Sequence, residues 1–393
     1  MYDQMQPPSF KDKVKKILPF SLIPIILIIL YLFLSGKNAR QVLNPFQKSG
    51  VTTGGNNSVI RGEVMSPLTG VFYMGEDAAS WIDSRPIGVM VNNHISARPQ
   101  AGLGDADIIY EIVAEGGITR FLSFFHSKFP QKAGPIRSTR EYYLVIVKEL
   151  ADAAIMHIGW SPQALQAIES WPVRSLGRAG LNCDQVLDDP KDEACWRDMK
   201  RVSSDVAWEH TAFGNVQYLN QVGKDLGWGG TSDIRLWEFK EDSAASPTKC
   251  AEIGCEDLIQ IDFWYKGDYT GMFKYDMGTN TYRRYTGFDE NDQPKPTIDL
   301  NTGEQVRVKN LIIQFVPEQP IAGDDKNRLT YELEGSGQAL IMIDGRVIDA
   351  TWTKAGRDER TVFYDTNGEE IAFNRGNFWI SIVSDANMDQ VVY

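Results

Sequence analysis

The chain has 393 residues, 42% hydrophobic and 23% charged, with a formal net charge of -12. Such a composition folds, and the length fits two or three domains. Residues 1–61 hold eight Lys and Arg against two Asp, so the remainder carries 32 basic and 50 acidic residues, a net of -18. A body that acidic is a poor nucleic-acid binder, and no nucleic-acid partner is expected, because phosphate contacts need a local excess of cations. Any anion it takes must sit in a small, focused pocket.

In chain order, residues 1–16 read as a cytoplasmic N-terminus and 17–35 as a transmembrane anchor. Ile17–Leu34 is an 18-residue run without a charge, the lower end of what spans a bilayer as a helix. Lys11, Lys13, Lys15 and Lys16 precede it against Lys37 and Arg40 after it, which places the body outside the cytoplasm. A cleaved signal peptide is the competing reading, but the apolar run is long for one and no A-x-A-like site follows. Residues 36–64, with "VTTGGNNS", lack periodicity and read as a flexible stalk.

Residues 65–228 alternate strand and helix signals, the pattern of an α/β layered sheet. "IGVMVNN" suits a buried strand, "DIIYEIV" and "ITRFLSFFH" two more, and "AAIMHIG" another. Ser138-x-x-Glu141 ahead of "YYLVIVKEL" has the form of a capping box. Ser161 followed by Pro162 marks a second helix start. Residues 229–393 change texture to short strand-like runs between Gly, Asn, Asp and Pro, expected to form an antiparallel β-rich domain, a sandwich or open barrel. The fold class is thus mixed α+β behind one transmembrane helix.

Four cysteines, Cys183, Cys195, Cys250 and Cys255, all follow the apolar run. An even number in an oxidising compartment suggests disulfides, and the spacings favour 183–195 and 250–255 among three connectivities. Neither pair has zinc-site spacing, and no cofactor or metal is expected.

The loop "GPIRSTREYY" carries the sharpest chemical signal. With Ser138 as N-cap, Arg140 falls in a helix's first turn, where the dipole prefers acids, and Arg137 lies just outside it. Two guanidiniums beside unpaired backbone N–H groups make a site for phosphate or carboxylate. The competing reading pairs these arginines with Glu111 and Glu115 in a buried network without chemistry. His94 and Arg98 follow the first buried strand, the end at which α/β sheets bind ligands. Arg120 follows a Gly-Gly turn, and Asp107 precedes a strand. His157 inside an apolar run reads as a core histidine, and His126 is open to either reading. No serine-hydrolase, zincin or P-loop motif occurs.

The stretches "SPLTG", "NNHISARPQAGLGDADIIYEIVAEGGITRF", "GPIRSTREYY", "AAIMHIGWSPQA", "CWRDMKR" and "EHTAFGN" together resemble the YerB-like lipoprotein family, a bacterial family of unknown function. The resemblance covers roughly Ser66 to Ser384. It implies an envelope-exposed protein of the cell membrane, with a mixed α/β N-terminal and a β-rich C-terminal domain. It also directs attention to Arg197, Asp198 and His210 as partners of the arginine loop. One departure stands out: Lys37 occupies the place of the family's lipobox cysteine, which favours the transmembrane anchor.

Three readings of function follow. In the first, a membrane-anchored binding module holds an anionic cell-envelope component through Arg98, Arg120, Arg137, Ser138 and Arg140. In the second, the same pocket serves an envelope-polymer phosphotransferase or hydrolase, with His94 as base and Asp107 on a divalent metal. That version has a loose likeness in layout to the LytR-CpsA-Psr phosphotransferases. In the third, the polar block is purely structural and the protein is a scaffold.

Overall fold

The computed structural model describes residues 62–393 except 189, 191, 201–205, 231–233 and 244–257. The segment read as an anchor and the Cys250–Cys255 pair lie outside the described residues. Among the described residues no helix is long and apolar enough to cross a membrane.

The apolar runs of the sequence become the middle of a ten-stranded sheet. Ile87–Asn92 is buried at every position, as a strand covered on both faces must be. Ile108–Glu115 and Ile118–Phe125 form an antiparallel hairpin closed by Gly116 and Gly117, both at positive φ. Glycine suits such a two-residue turn, where a side chain would be strained. Gly117 has a second constraint, since a Cβ there would meet the Tyr265 ring at 2.7 Å. Ile87–Asn92 then pairs parallel with Ala154–Met156, which pairs parallel with Arg174–Ser175. The helices Glu141–Glu149 and Pro162–Ser170 flank this part, the latter capped by the Ser161 hydroxyl as its sequence predicts.

The β-rich second half is largely antiparallel, as expected, but it does not build only its own sheet. Leu258–Ile261, Gly271–Asp276 and Thr281–Phe288 belong to a separate six-stranded antiparallel sheet. Asn310–Val316, Gly335–Ile343, Arg346–Lys354 and Val362–Tyr364 instead extend the ten-stranded sheet. Phe378–Ser384 is the seam: it lies parallel to Asn310–Val316 on one side and to Ile108–Glu115 on the other. Its sequence, FWISIVS, is buried throughout, which fits a central position. Glu63–Tyr393 accordingly forms one compact unit. The expected stalk ends earlier than residue 64, because Glu63–Met65 pairs with Phe72–Met74.

One ion pair ties the two sheets together. Glu111, in the ten-stranded sheet, receives Arg284 of Thr281–Phe288 at 2.8 Å, with both side chains fully buried. Thr119 and the Trp379 indole also donate to Glu111. The Arg284 guanidinium lies 4.8 Å from the Phe273 ring centroid and 4.6 Å from that of Trp379. Such contacts offset part of the desolvation cost of a buried pair, although the buried Arg284 Nε has no hydrogen-bond partner among the described residues.

Candidate functional site

The C-terminal ends of Ile87–Asn92, Ile108–Glu115 and Ala154–Met156 lie at one edge of the sheet, since the first is parallel to Ala154–Met156 and both it and Ile108–Glu115 oppose Ile118–Phe125. The segment 133–139 runs along this edge. The Arg137 N–H donates to Met90 O, the Ile136 N–H to Ala212 O, and the Ile158 N–H to Arg137 O. Thr139 pairs in parallel with Trp160. Arg137 therefore sits between the chain at 158–160 and the chain at 208–212. The cis peptides Arg98–Pro99 and Gly134–Pro135 belong to this same region.

The capping-box expectation is corrected. The helix begins at Glu141, its N-cap is Arg140 in an extended conformation, and no side chain caps it. Ser138 donates its hydroxyl to Ile158 O at 3.0 Å instead. Backbone bonds from Arg137 to Met90 and Ile158 and the bridge of Thr139 to Trp160 commit this segment to neighbouring chains, so the helix does not start where the local pattern alone would place it.

The arginines of this block divide into two groups. Arg140 pairs with Glu115 and donates from Nη1 to Thr139 O at 2.7 Å. Arg120 donates to the other Glu115 oxygen at 2.7 Å and to Ser138 O at 2.8 Å. Both are under a tenth exposed. Burial, with Arg140 beside it, lowers the Arg120 guanidinium to about 10. This is the closed network, and it removes Arg140 from the open mouth the sequence suggests. Arg137 differs. Its side chain is 28% exposed and its nearest carboxylate, Glu209, is 3.9 Å away. Among the described residues its guanidinium has no hydrogen-bond acceptor.

Two histidines stand next to Arg137. His94 and His210 stack with ring centroids 4.5 Å apart and planes 9° apart. Asn92 accepts from the His94 N–H through Oδ1, which turns its amide nitrogen toward His210 Nδ1 at 2.7 Å. His94 Nδ1 accepts from the Ser96 N–H, so the neutral ring carries its proton on Nε2. Burial first, then the charges of Arg137 and Arg98, hold His94 below its ordinary value. Burial likewise lowers Arg137, and Glu209 partly offsets it.

The other expected residues take structural places. Arg98 donates to Asn93 O and Asp268 O, and burial lowers it to about 10. Arg197 pairs with Asp184 at 2.6 Å and lies over the Trp208 ring, and Asp198 takes Lys132 at 2.6 Å. His157 is buried between Gly159 O and the Ser175 hydroxyl, and burial lowers it to about 4, as fits a core histidine. Cys183 and Cys195 form the disulfide favoured by their spacing.

Asp107 is a correction. It precedes the strand that ends at Glu115, about 25 Å away along an extended chain. It accepts from the N–H groups of His126 and Ser127 and from the Ser127 hydroxyl. Burial pushes it up to about 6. It therefore shares no site with Arg120, Arg137 or Arg140, and the metal-assisted version of the phosphotransferase reading loses its acid. His126, also buried and lowered to about 4 by burial, belongs to this far end.

Asn92, Glu209, Trp160 and Trp208 join the site without a signal in the sequence. Asn92, Glu209 and Trp160 lie inside the stretches "NNHISARPQ", "EHTAFGN" and "AAIMHIGWSPQA" but carry no spacing pattern of their own.

Residues 68–229 match the family described as "Protein of unknown function (DUF3048) N-terminal domain", and residues 259–380 match its C-terminal domain. The matched regions fall on either side of residue 229, although strands from both share the ten-stranded sheet. The chain is 28% identical over 325 residues to the protein named "Putative lipoprotein YerB" of Bacillus subtilis (strain 168), covering 82% of this chain and 87% of that one. The crystal structure of YerB protein from Bacillus subtilis superposes with a TM-score of 0.66 at 26% identity, covering 84% of this chain and 99% of that one. With both domains matched in order, the chain belongs to the DUF3048 family.

Proposed function

We propose that the protein is a membrane-anchored, extracytoplasmic component of the bacterial cell envelope that binds a phosphate- or carboxylate-bearing envelope ligand at Arg137. The envelope location is supported by the lipoprotein name of the Bacillus subtilis relative. The disulfide Cys183–Cys195 suits an oxidising compartment. The uncharged run Ile17–Leu34 supplies a segment able to act as anchor.

One observation carries the binding reading. Arg137 is the guanidinium of the loop that stays partly exposed and that, among the described residues, has no hydrogen-bond acceptor, 3.9 Å from its nearest carboxylate. A planar guanidinium recognises a carboxylate or phosphate through two parallel hydrogen bonds, a geometry lysine cannot supply. His94, with a proton on Nε2, stands beside it as a second donor. Arg120 and Arg140 serve a different purpose: with Glu115 they hold the loop in place from behind.

Titrating the full-length chain with inorganic phosphate tests this. Arg137→Ala is expected to weaken binding about 10-fold or more, the worth of one charge-assisted contact. Equal affinity in wild type and variant rejects the site.

A further inference from the structure

Resting on that anion site, we infer that the ligand is an acidic glycan, a sugar ring stacked on Trp160 or Trp208 with its acid group on Arg137. The two tryptophans are 40% and 44% exposed, unusual for so large an apolar ring. They are not scattered singly over the surface. Trp160 pairs across from Thr139 on one side of the Arg137 segment, and Trp208 adjoins Glu209 on the other. Exposed aromatics bracketing an under-paired cation mark a recognition surface rather than a random surface residue.

Each ring is also held. The Arg178 guanidinium lies 5.7 Å from the Trp160 ring centroid and that of Arg197 4.8 Å from Trp208. The Trp208 indole N–H further donates to Asp184 at 3.4 Å. Rings fixed in this way lose little freedom on binding. A pyranose presents a face of C–H groups with small positive charge, which suits the negative π-face of an indole. The hydroxyls at the ring edge stay in water, which suits platforms left half-open at a rim. A nucleic acid would meet a body with a net charge of -18, whereas a single acid group on a sugar needs only the local cation.

The test compares affinities of the full-length chain for inorganic phosphate, glucose 1-phosphate, glucuronic acid and adenosine 5′-monophosphate. At least one sugar acid is expected to bind about 5-fold more tightly than phosphate, as one aromatic stack allows. Trp160→Ala or Trp208→Ala should abolish that advantage while phosphate binding remains dependent on Arg137, and the matching Trp→Tyr variant should restore part of it. If sugar acids bind no better than phosphate, or both tryptophan variants keep the advantage, the glycan assignment is overturned while the anion site stands. A nucleotide that binds as tightly as the sugar acids, through the same rings, overturns it too. If Arg137→Ala leaves phosphate affinity unchanged, the anion site itself fails first.

Discussion

Arg137 and Arg140 stand three residues apart in one loop, yet one is half-open and the other sealed against Glu115 beside Arg120. The difference comes from the backbone beneath them. Backbone pairing ties Arg137 to Ile158 and Thr139 to Trp160, so the two side chains part company before the helix begins. In the closed region every charge has a partner within the fold. In the open region the cation, among the described residues, keeps donors to spare. Density of arginines in a motif thus says little about ligand binding until partners are assigned to each one.

The largest effect should come from the most closed pair. Arg284→Met leaves Glu111 fully buried and without its cation, and is expected to cost about 3–5 kcal/mol in denaturant unfolding. Glu115→Gln leaves Arg120 and Arg140 facing each other, with a loss of about 2 kcal/mol, smaller because Glu115 is partly exposed. A Glu115→Gln protein as stable as wild type would remove the distinction between the two regions.

Acidification should act on a different set of buried groups. His126 and His157 are held neutral, with folded values near 4 against an ordinary 6.5. Their contribution is therefore present above pH 6.5 and lost as pH falls toward 4, because the unfolded chain takes up protons first. Asp107, raised to about 6, opposes this by gaining its proton in the folded state. Taken by themselves, these three groups should lower stability by on the order of 2 kcal/mol between pH 6.5 and 4. His157→Gln should flatten that slope, measured by thermal unfolding across the range; an unchanged slope would mean His157 is not held neutral.

The smallest effects belong to the open region. Arg137→Ala should change stability by less than about 0.5 kcal/mol, as for a partly exposed residue with a weak ion pair. It should nonetheless raise the His94 pKa in NMR titration, since the Arg137 charge is one of the causes holding it down. A large stability loss without a His94 shift would place Arg137 in the closed group.

Local signals placed most of the elements. The buried runs became central strands, and Ser161–Pro162 marked a helix start because its capping contacts are local. Ser138 failed as a cap because backbone pairing across the loop, invisible in a four-residue pattern, overrode it. The shared sheet could not be read either. Phe378–Ser384 reaches Ile108–Glu115 across more than 260 residues, and nothing in a buried apolar run names its neighbour. In the site, Glu115 was legible as a partner of the arginines, and Glu111 was too in kind, but its cation is Arg284 from the far half. Asp107 was misplaced because its position before a strand does not say which end of the sheet faces the loop. Glu209 and Trp160 lie inside the stretches that carry the family resemblance, but their place beside Arg137, like that of Trp208, emerges only from the tertiary juxtaposition.

The central claim is that Arg137, and not the helix start at Arg140, meets the anion. A crystal of the protein soaked in phosphate tests it most directly. The account predicts an anion within hydrogen-bond distance of the Arg137 guanidinium, with the Arg120–Glu115–Arg140 cluster intact. An anion seated on the Arg140–Glu141 backbone with Glu115 displaced would contradict it, as would a fully occupied anion elsewhere and none at Arg137.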